Sequence, residues 1–147
     1  METTKTATGR KCELKCEVVT PEGLIFDGCA DMVVVPGELG ELGIMPRHTP
    51  IVSRTVIGEV RVKADDGNWS HIAVGNGYMK LQFDRLLLLV DTAERAEDID
   101  TARADGAVTR ANEYLEKKRS GSEGVDVHRA EQSRKRALNR LKVAGRA

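Results

Sequence analysis

The sequence predicts a small β sandwich followed by an antiparallel helical hairpin, and three observations carry that prediction. Short alternating segments bounded by turn residues run from Glu13 to Asp91. From Glu97 onward alanine becomes frequent and the apolar period changes from two to between three and four. A glycine–serine break, Ser120-Gly121-Ser122-Glu123-Gly124, then splits the helical region in two.

Residues 1–11 are polar and are expected to be disordered. Leu14, Cys16 and Val18 alternate with Glu13, Lys15 and Glu17, the pattern of a half-buried strand. Thr20-Pro21-Glu22-Gly23 is a turn, and 24–26 and 32–35 read as short strands, with Pro36-Gly37 ending the second. Residues 36–50 hold three prolines and three glycines and read as a loop with one brief apolar pair, Ile44-Met45. Strands resume at 51–56 and 58–62. Asp65-Asp66-Gly67-Asn68 marks a hairpin turn before 69–74. Gly75-Asn76-Gly77 turns into 78–83, and Asp84-Arg85 separates that strand from 86–90. Strands this short and this regularly spaced, with no βαβ unit, predict a sandwich or barrel over 12–93.

Residues 94–147 read as the hairpin, with helices at about 97–119 and 126–144. The first carries the stripe Ile99, Ala102, Gly106 or Ala107, Ala111, and Tyr114 or Leu115. Asp126 is placed to cap the second, and Gly145 to stop it. The second stripe is Ala130, Ser133, Ala137, Leu141 and Ala144. At roughly 25 cal/mol per Å² buried, small side chains hold two helices only loosely. Gly106 costs about 1 kcal/mol of helix propensity relative to alanine. The hairpin is therefore expected to need a second surface and to be able to leave the β domain if another surface competes for it; the alternative is a permanently docked hairpin.

Charge is distributed unevenly. The formal net charge is zero, but residues 1–97 carry −4 and residues 98–147 carry +4. From His128 to the end there are seven basic side chains and one acidic, Glu131. A basic tail fits an acidic partner surface or a nucleotide. It fits nucleic acid poorly, because no aromatic residues accompany it. The longest apolar run, 86–90, is far too short to span a bilayer, so membrane association is expected only through a partner.

Cys12, Cys16 and Cys29 lack zinc-site spacing and read as reduced thiols, with Cys12 and Cys16 on one strand face. No phosphate-binding glycine loop, serine nucleophile elbow or metalloprotease histidine pair is present, so catalysis is not expected. Arg103 and Arg110 share a face of the first helix; Arg129, Arg136 and Arg140 share a face of the second. Facing rows would repel unless an anion such as a nucleoside triphosphate lay between them. The alternative is that they point outward and pair with Glu113, Glu116 and Glu131.

The assembled motifs resemble the epsilon-subunit family of bacterial and chloroplast F-type ATP synthases. The matches are Val19-Thr20-Pro21-Glu22-Gly23 with Phe26 and Gly28, then Pro36-Gly37, then 40–50 against the pattern GELGI-x-P-G-H-x-P. They continue through Ile72–Tyr78, 91–100 and 136–144. Arg47 stands where the family pattern has glycine, and Asn76 interrupts a turn that is commonly two glycines.

The resemblance implies a flattened ten-stranded β sandwich at the foot of a central stalk, against a gamma subunit and a ring of c subunits. It implies a hairpin that folds onto the sandwich or extends toward alpha and beta subunits to inhibit ATP hydrolysis. Glu41, Leu42 and Ile44 would face the c ring, and His48 would lie near gamma. Ile99-Asp100-Thr101-Ala102-Arg103-Ala104 matches a motif with which some bacterial members bind ATP. Glu94, Asp100, Arg103, Arg110, Arg136 and Arg140 would then form the site. ATP would be a regulatory ligand, and no cofactor is required. The expected location is peripheral, on the cytoplasmic face of the bacterial cell membrane.

Overall fold

The computed structural model describes residues 6–121, 124 and 126–147. Ten strands come first: β1 (Lys15–Thr20), β2 (Gly23–Cys29), β3 (Met32–Gly37), β4 (Gly40–Ile44), β5 (Ile51–Thr55), β6 (Gly58–Lys63), β7 (Trp69–Val74), β8 (Gly77–Gln82), β9 (Arg85–Val90) and β10 (Ala93–Arg95). A 3-10 turn, Ala96–Asp98, leads to helices α1 (Thr101–Arg119) and α2 (Val127–Ala144). The sandwich-plus-hairpin expectation is met.

The strands form one folded sheet in the order β10-β7-β6-β3-β5-β8-β9-β1-β2, with β4 beside β3. The β1–β9 pair is parallel, from Lys15 opposite Arg85 to Val19 opposite Leu89. Alternation decides which side chains go inside. In β1, Cys16, Val18 and Thr20 are buried while Lys15, Glu17 and Val19 are only partly covered. The core joins both layers through Leu14, Val33, Val60, Ile72, Met79 and Leu88.

The 36–50 segment differs from expectation. Pro36 and Gly37 continue β3 and pair with Glu41 and Gly40 of β4. Proline is tolerated because the ladder needs only its carbonyl here, which accepts from the Val56 N–H at 3.0 Å. The last hairpin turn is Phe83-Asp84 rather than Asp84-Arg85. Both residues have positive φ, 51° and 57°, which matches the twist a two-residue hairpin loop requires. Arg85 therefore pairs with Gln82 as the first residue of β9.

Asn76 does not carry the special geometry of its turn. The flanking glycines do, through close approach: a Cβ on Gly77 would lie 2.0 Å from the Leu89 carbonyl oxygen. Arg47 keeps a left-handed backbone, φ 65°, and its N–H donates to Asp84 Oδ1 at 2.6 Å. The arginine thus preserves the conformation that suits glycine at this site, with Asp84 holding it.

The cysteines correct the thiol expectation. Cys12 and Cys29 form a disulfide with Cα atoms 5.5 Å apart. Antiparallel β1–β2 pairing places Lys15 opposite Cys29, and the Ala30 N–H bonds to the Leu14 carbonyl. That pairing carries the chain entering β1 past the end of β2, within bridging distance. Cys12 precedes β1, so it does not share a strand face with Cys16. Cys16 is a buried free thiol, pushed up to about 12 by burial and then by the Glu17 and Asp27 carboxylates.

Of the segment expected to be disordered, residues 1–5 lie outside the described residues. Residues 6–10 form a turn closed by Gly9 N–H to Thr6 O at 3.0 Å. Ser122 and Glu123 of the expected interhelical break also lie outside the described residues.

Both helices begin at an aspartate cap. Asp100 Oδ1 accepts from the Arg103 N–H, and Asp126 Oδ1 from the Arg129 N–H, each at 3.0 Å. The first helix starts at Thr101, later than expected, so Ile99 lies before it and does not set its inner face. Ala104 and Ala111 are buried, and Ala102 is exposed. Ala130 and Ala137 of α2, the helix packed against α1, are also buried. Alanines seven apart on both helices allow close approach with little apolar area removed.

The hairpin and the partner edge as candidate functional sites

The first candidate site is the hairpin and its footing on the sheet. Asn139 and Val143 are four apart and share one face of the last turns of α2, and Arg146 follows just beyond the helix end. Asn139 Nδ2 donates to the Gly58 carbonyl at 2.8 Å. Val143 is fully buried against Ala73 and Ala96, with Ile99 alongside. This cluster is separate from the main core. Arg140 Nε lies 3.4 Å from Glu94 Oε1. Arg146 Nε is 4.0 Å from Glu59 Oε1, an oxygen that also meets His71 Nδ1 at 2.5 Å.

Between the helices lies a cavity of about 390 Å³, lined by Ala107, Arg110, Ala111, Tyr114, Asp126 and Arg129 among others. Of the arginines expected from the sequence, Arg110 and Arg129 border this space. Arg110 was a candidate ligand. Arg129 belongs to the α2 arginine row expected to face an anion, though not to the six residues the family resemblance implies, and Asp126 is expected as a cap. The structure brings Glu94 and Arg140 together in an ion pair. It places Asp100 in its capping role and leaves Arg103 exposed in the first turn of α1. Arg136 is half-buried on α2 and is not among the residues that line the cavity. The facing arginine rows therefore reduce to Arg110 and Arg129, since the seam itself is alanine.

The second candidate site is the β4 edge. Glu41 projects outward, and its Oε2 takes a 2.7 Å contact from Arg61 Nη2. Sequence reasoning did not single out Arg61; it is joined to Glu41 only by the β4-β3-β6 strand order. Leu42 is half-buried and packs on the core. Ile44 is 1% exposed, so it supports the sandwich from inside and offers no outer contact. Leu39 and Met45 are the exposed apolar neighbours, at 104% and 57%. His48 is exposed in the following loop, with Nδ1 2.7 Å from the Thr49 carbonyl oxygen. Among the described residues, no three His, Cys, Asp or Glu side chains come together as a metal site. No described helix is long and apolar enough to cross a membrane.

Two family profiles divide the chain where the structure does. The ATP synthase Delta/Epsilon chain beta-sandwich domain matches residues 13–96, and the Delta/Epsilon chain long alpha-helix domain matches 97–145. The chain belongs to the ATP synthase epsilon-chain family. The ATP synthase epsilon chain of Desulforamulus reducens is 45% identical over 88% of this chain and 96% of its own length. That of Ligilactobacillus salivarius is 40% identical over 91% of this chain and 96% of its own. A chain in the cryo-EM structure of the Euglena gracilis mitochondrial ATP synthase OSCP/F1/c-ring shares the fold, with TM-score 0.74 at 15% identity. It covers 100% of this chain and 91% of its own. As a member of this family the chain is a non-catalytic subunit of the central stalk.

Proposed function

We propose that this epsilon-family chain couples the gamma subunit to the c ring and restrains ATP hydrolysis with its hairpin. The β domain is the coupling element. Glu41 and Leu42 contact the c ring, with Arg61 steadying Glu41, and His48 lies toward gamma. When extended, α2 enters between alpha and beta subunits, where its six lysines and arginines meet acidic surface. The chain sits peripherally on the cytoplasmic face of the bacterial membrane, without inserting and without nucleic acid.

The observation that supports this reading best is the thin footing of the hairpin. Among the described residues, one buried valine, one side-chain hydrogen bond and two ion pairs attach α2 and the residues just after it to the sheet. The valine contributes about 1.5–3 kcal/mol and the hydrogen bond about 1 kcal/mol. A competing surface of ordinary size can outweigh that. Hydrolysis by the reconstituted catalytic hexamer, measured with the full chain and with residues 124–147 removed, tests it. Inhibition is expected only with the full chain, and equal rates would sink the proposal.

A second reading concerns ATP as a regulatory ligand of the folded-down hairpin. It is supported by the cavity that Arg110 and Arg129 border. Two guanidinium groups beside a space of that size suit a polyphosphate. A ligand that binds only the folded-down form, at a hundred times its Kd, would stabilise that form by about 2.7 kcal/mol. That is comparable with the footing itself, so nucleotide could set the hairpin's resting place.

A further inference from the structure

We infer that the Cys12–Cys29 disulfide is a reversible modification site, reduced by a dithiol, whose opening releases residues 6–12 from the β domain while the sandwich stays folded.

The segment is held at the end of the sandwich opposite the α2 footing. The β6–β7 turn lies there, whereas Gly58 and Val74 mark the other end of that strand pair. Thr8 donates its N–H to Asp65 Oδ2 at 3.2 Å, and its hydroxyl also bonds to Asp65. Arg10 reaches Asp65 at 3.5 Å and Asp31 at 3.4 Å. Beneath the segment, the Asp65 side chain is only 2% exposed. The single covalent tie is Cys12 to Cys29.

The bond is reachable. Both cysteines are partly exposed, and a cavity of about 100 Å³ beside Cys29 is lined by Arg10, Lys11, Asp31 and Asp65 among others. A thiolate of the reductant attacks one sulfur, forming a mixed disulfide and expelling the other cysteine as a thiolate. The reductant's second thiol then displaces the first cysteine. Two electrons pass to the pair, the reductant leaves as a disulfide, and two protons complete the thiols.

Release stops at Leu14. That side chain is fully buried, and β1 beyond it is paired on both sides, with β2 and β9. The described contacts left to residues 6–12 after reduction include the hydrogen bonds and ion pair to Asp65 and the exposed Arg10–Asp31 pair, noncovalent ties that open and close without a bond being broken. Cys16 takes no part, being buried with its thiol pushed up to about 12.

The test uses the full chain without denaturant. After dithiothreitol and iodoacetamide, intact mass should show two adducts, with Cys16 unmodified. Exchange of the Thr8 amide should rise by about tenfold or more. The double variant C12S/C29S should reproduce that exchange without reductant. Its melting point should fall by roughly 6–12 °C, while the β-sheet circular dichroism spectrum is retained. Absence of adducts until denaturant is added would overturn the inference. So would three adducts appearing together, which reports global unfolding, or two adducts with Thr8 exchange unchanged.

Discussion

Val143→Ala tests whether the hairpin is held as lightly as its contacts indicate. The side chain is fully buried in a cluster of Ala73 and Ala96, apart from the main core. The substitution removes two carbons, worth about 1.6 kcal/mol in transfer, and a partly collapsed cavity brings the loss to about 2 kcal/mol. Every 1.4 kcal/mol is a factor of ten, so the ratio of undocked to docked hairpin should rise by about 15- to 30-fold. Spin labels at Arg134 on α2 and Lys63 on β6 would report the two populations as distances. The melting of the β domain should barely move, because Val143 does not belong to the main core. An unchanged distance distribution would refute the reasoning. A lowered β-domain melting point with docking intact would refute it equally, since Val143 would then be part of the principal core.

Arg110→Ala or Arg129→Ala should weaken ATP binding by roughly 10- to 150-fold in calorimetry, the loss of one charge-assisted contact, with exposed Lys142→Ala as the unaffected control. An equal effect of Arg103→Ala would place the ligand at the start of α1 instead of in the cavity. Acid should loosen the 6–12 segment. Burial alone pushes the Asp65 carboxyl up, but hydrogen bonds from Thr6, Thr8 and Arg10 outweigh it and hold it at about 2, below the ordinary 3.8. The folded value is depressed, so this contribution is full above pH 3.8 and is lost as pH falls through about 2, which the Thr8 amide signal would follow. Gly77→Ala should cost about 3 kcal/mol or more in denaturant unfolding, because its Cβ would meet the Leu89 carbonyl oxygen and Val90 Cα at 2.0 and 2.7 Å. Gly106→Ala should instead stabilise α1 by up to about 1 kcal/mol, its nearest neighbour being the movable end of Arg110.

What was legible in the sequence was local. Strand alternation in β1, the hairpin turn near Asp65, the Asp126 cap and the Gly145 stop each depend on a residue and its near neighbours. The relevant energies act within one turn or one pleat, so a short window contains the information. Family membership was legible for a different reason, since an ordered series of such local motifs spans nearly the whole chain.

Tertiary structure decided what depends on distant segments meeting. Whether Cys12 is a thiol or half of a disulfide follows from β1–β2 pairing. Pro36 stays in a strand because Val56 supplies a donor twenty residues on. The Glu41–Arg61 pair crosses β3, and the Arg110–Arg129 cavity needs two helices brought face to face. Ile44 could be read as an outer contact until β4 took its place in the sheet and turned that side chain inward. A residue's type and spacing specify what it can do. Which partner it meets is settled by the long-range register that only the folded chain possesses.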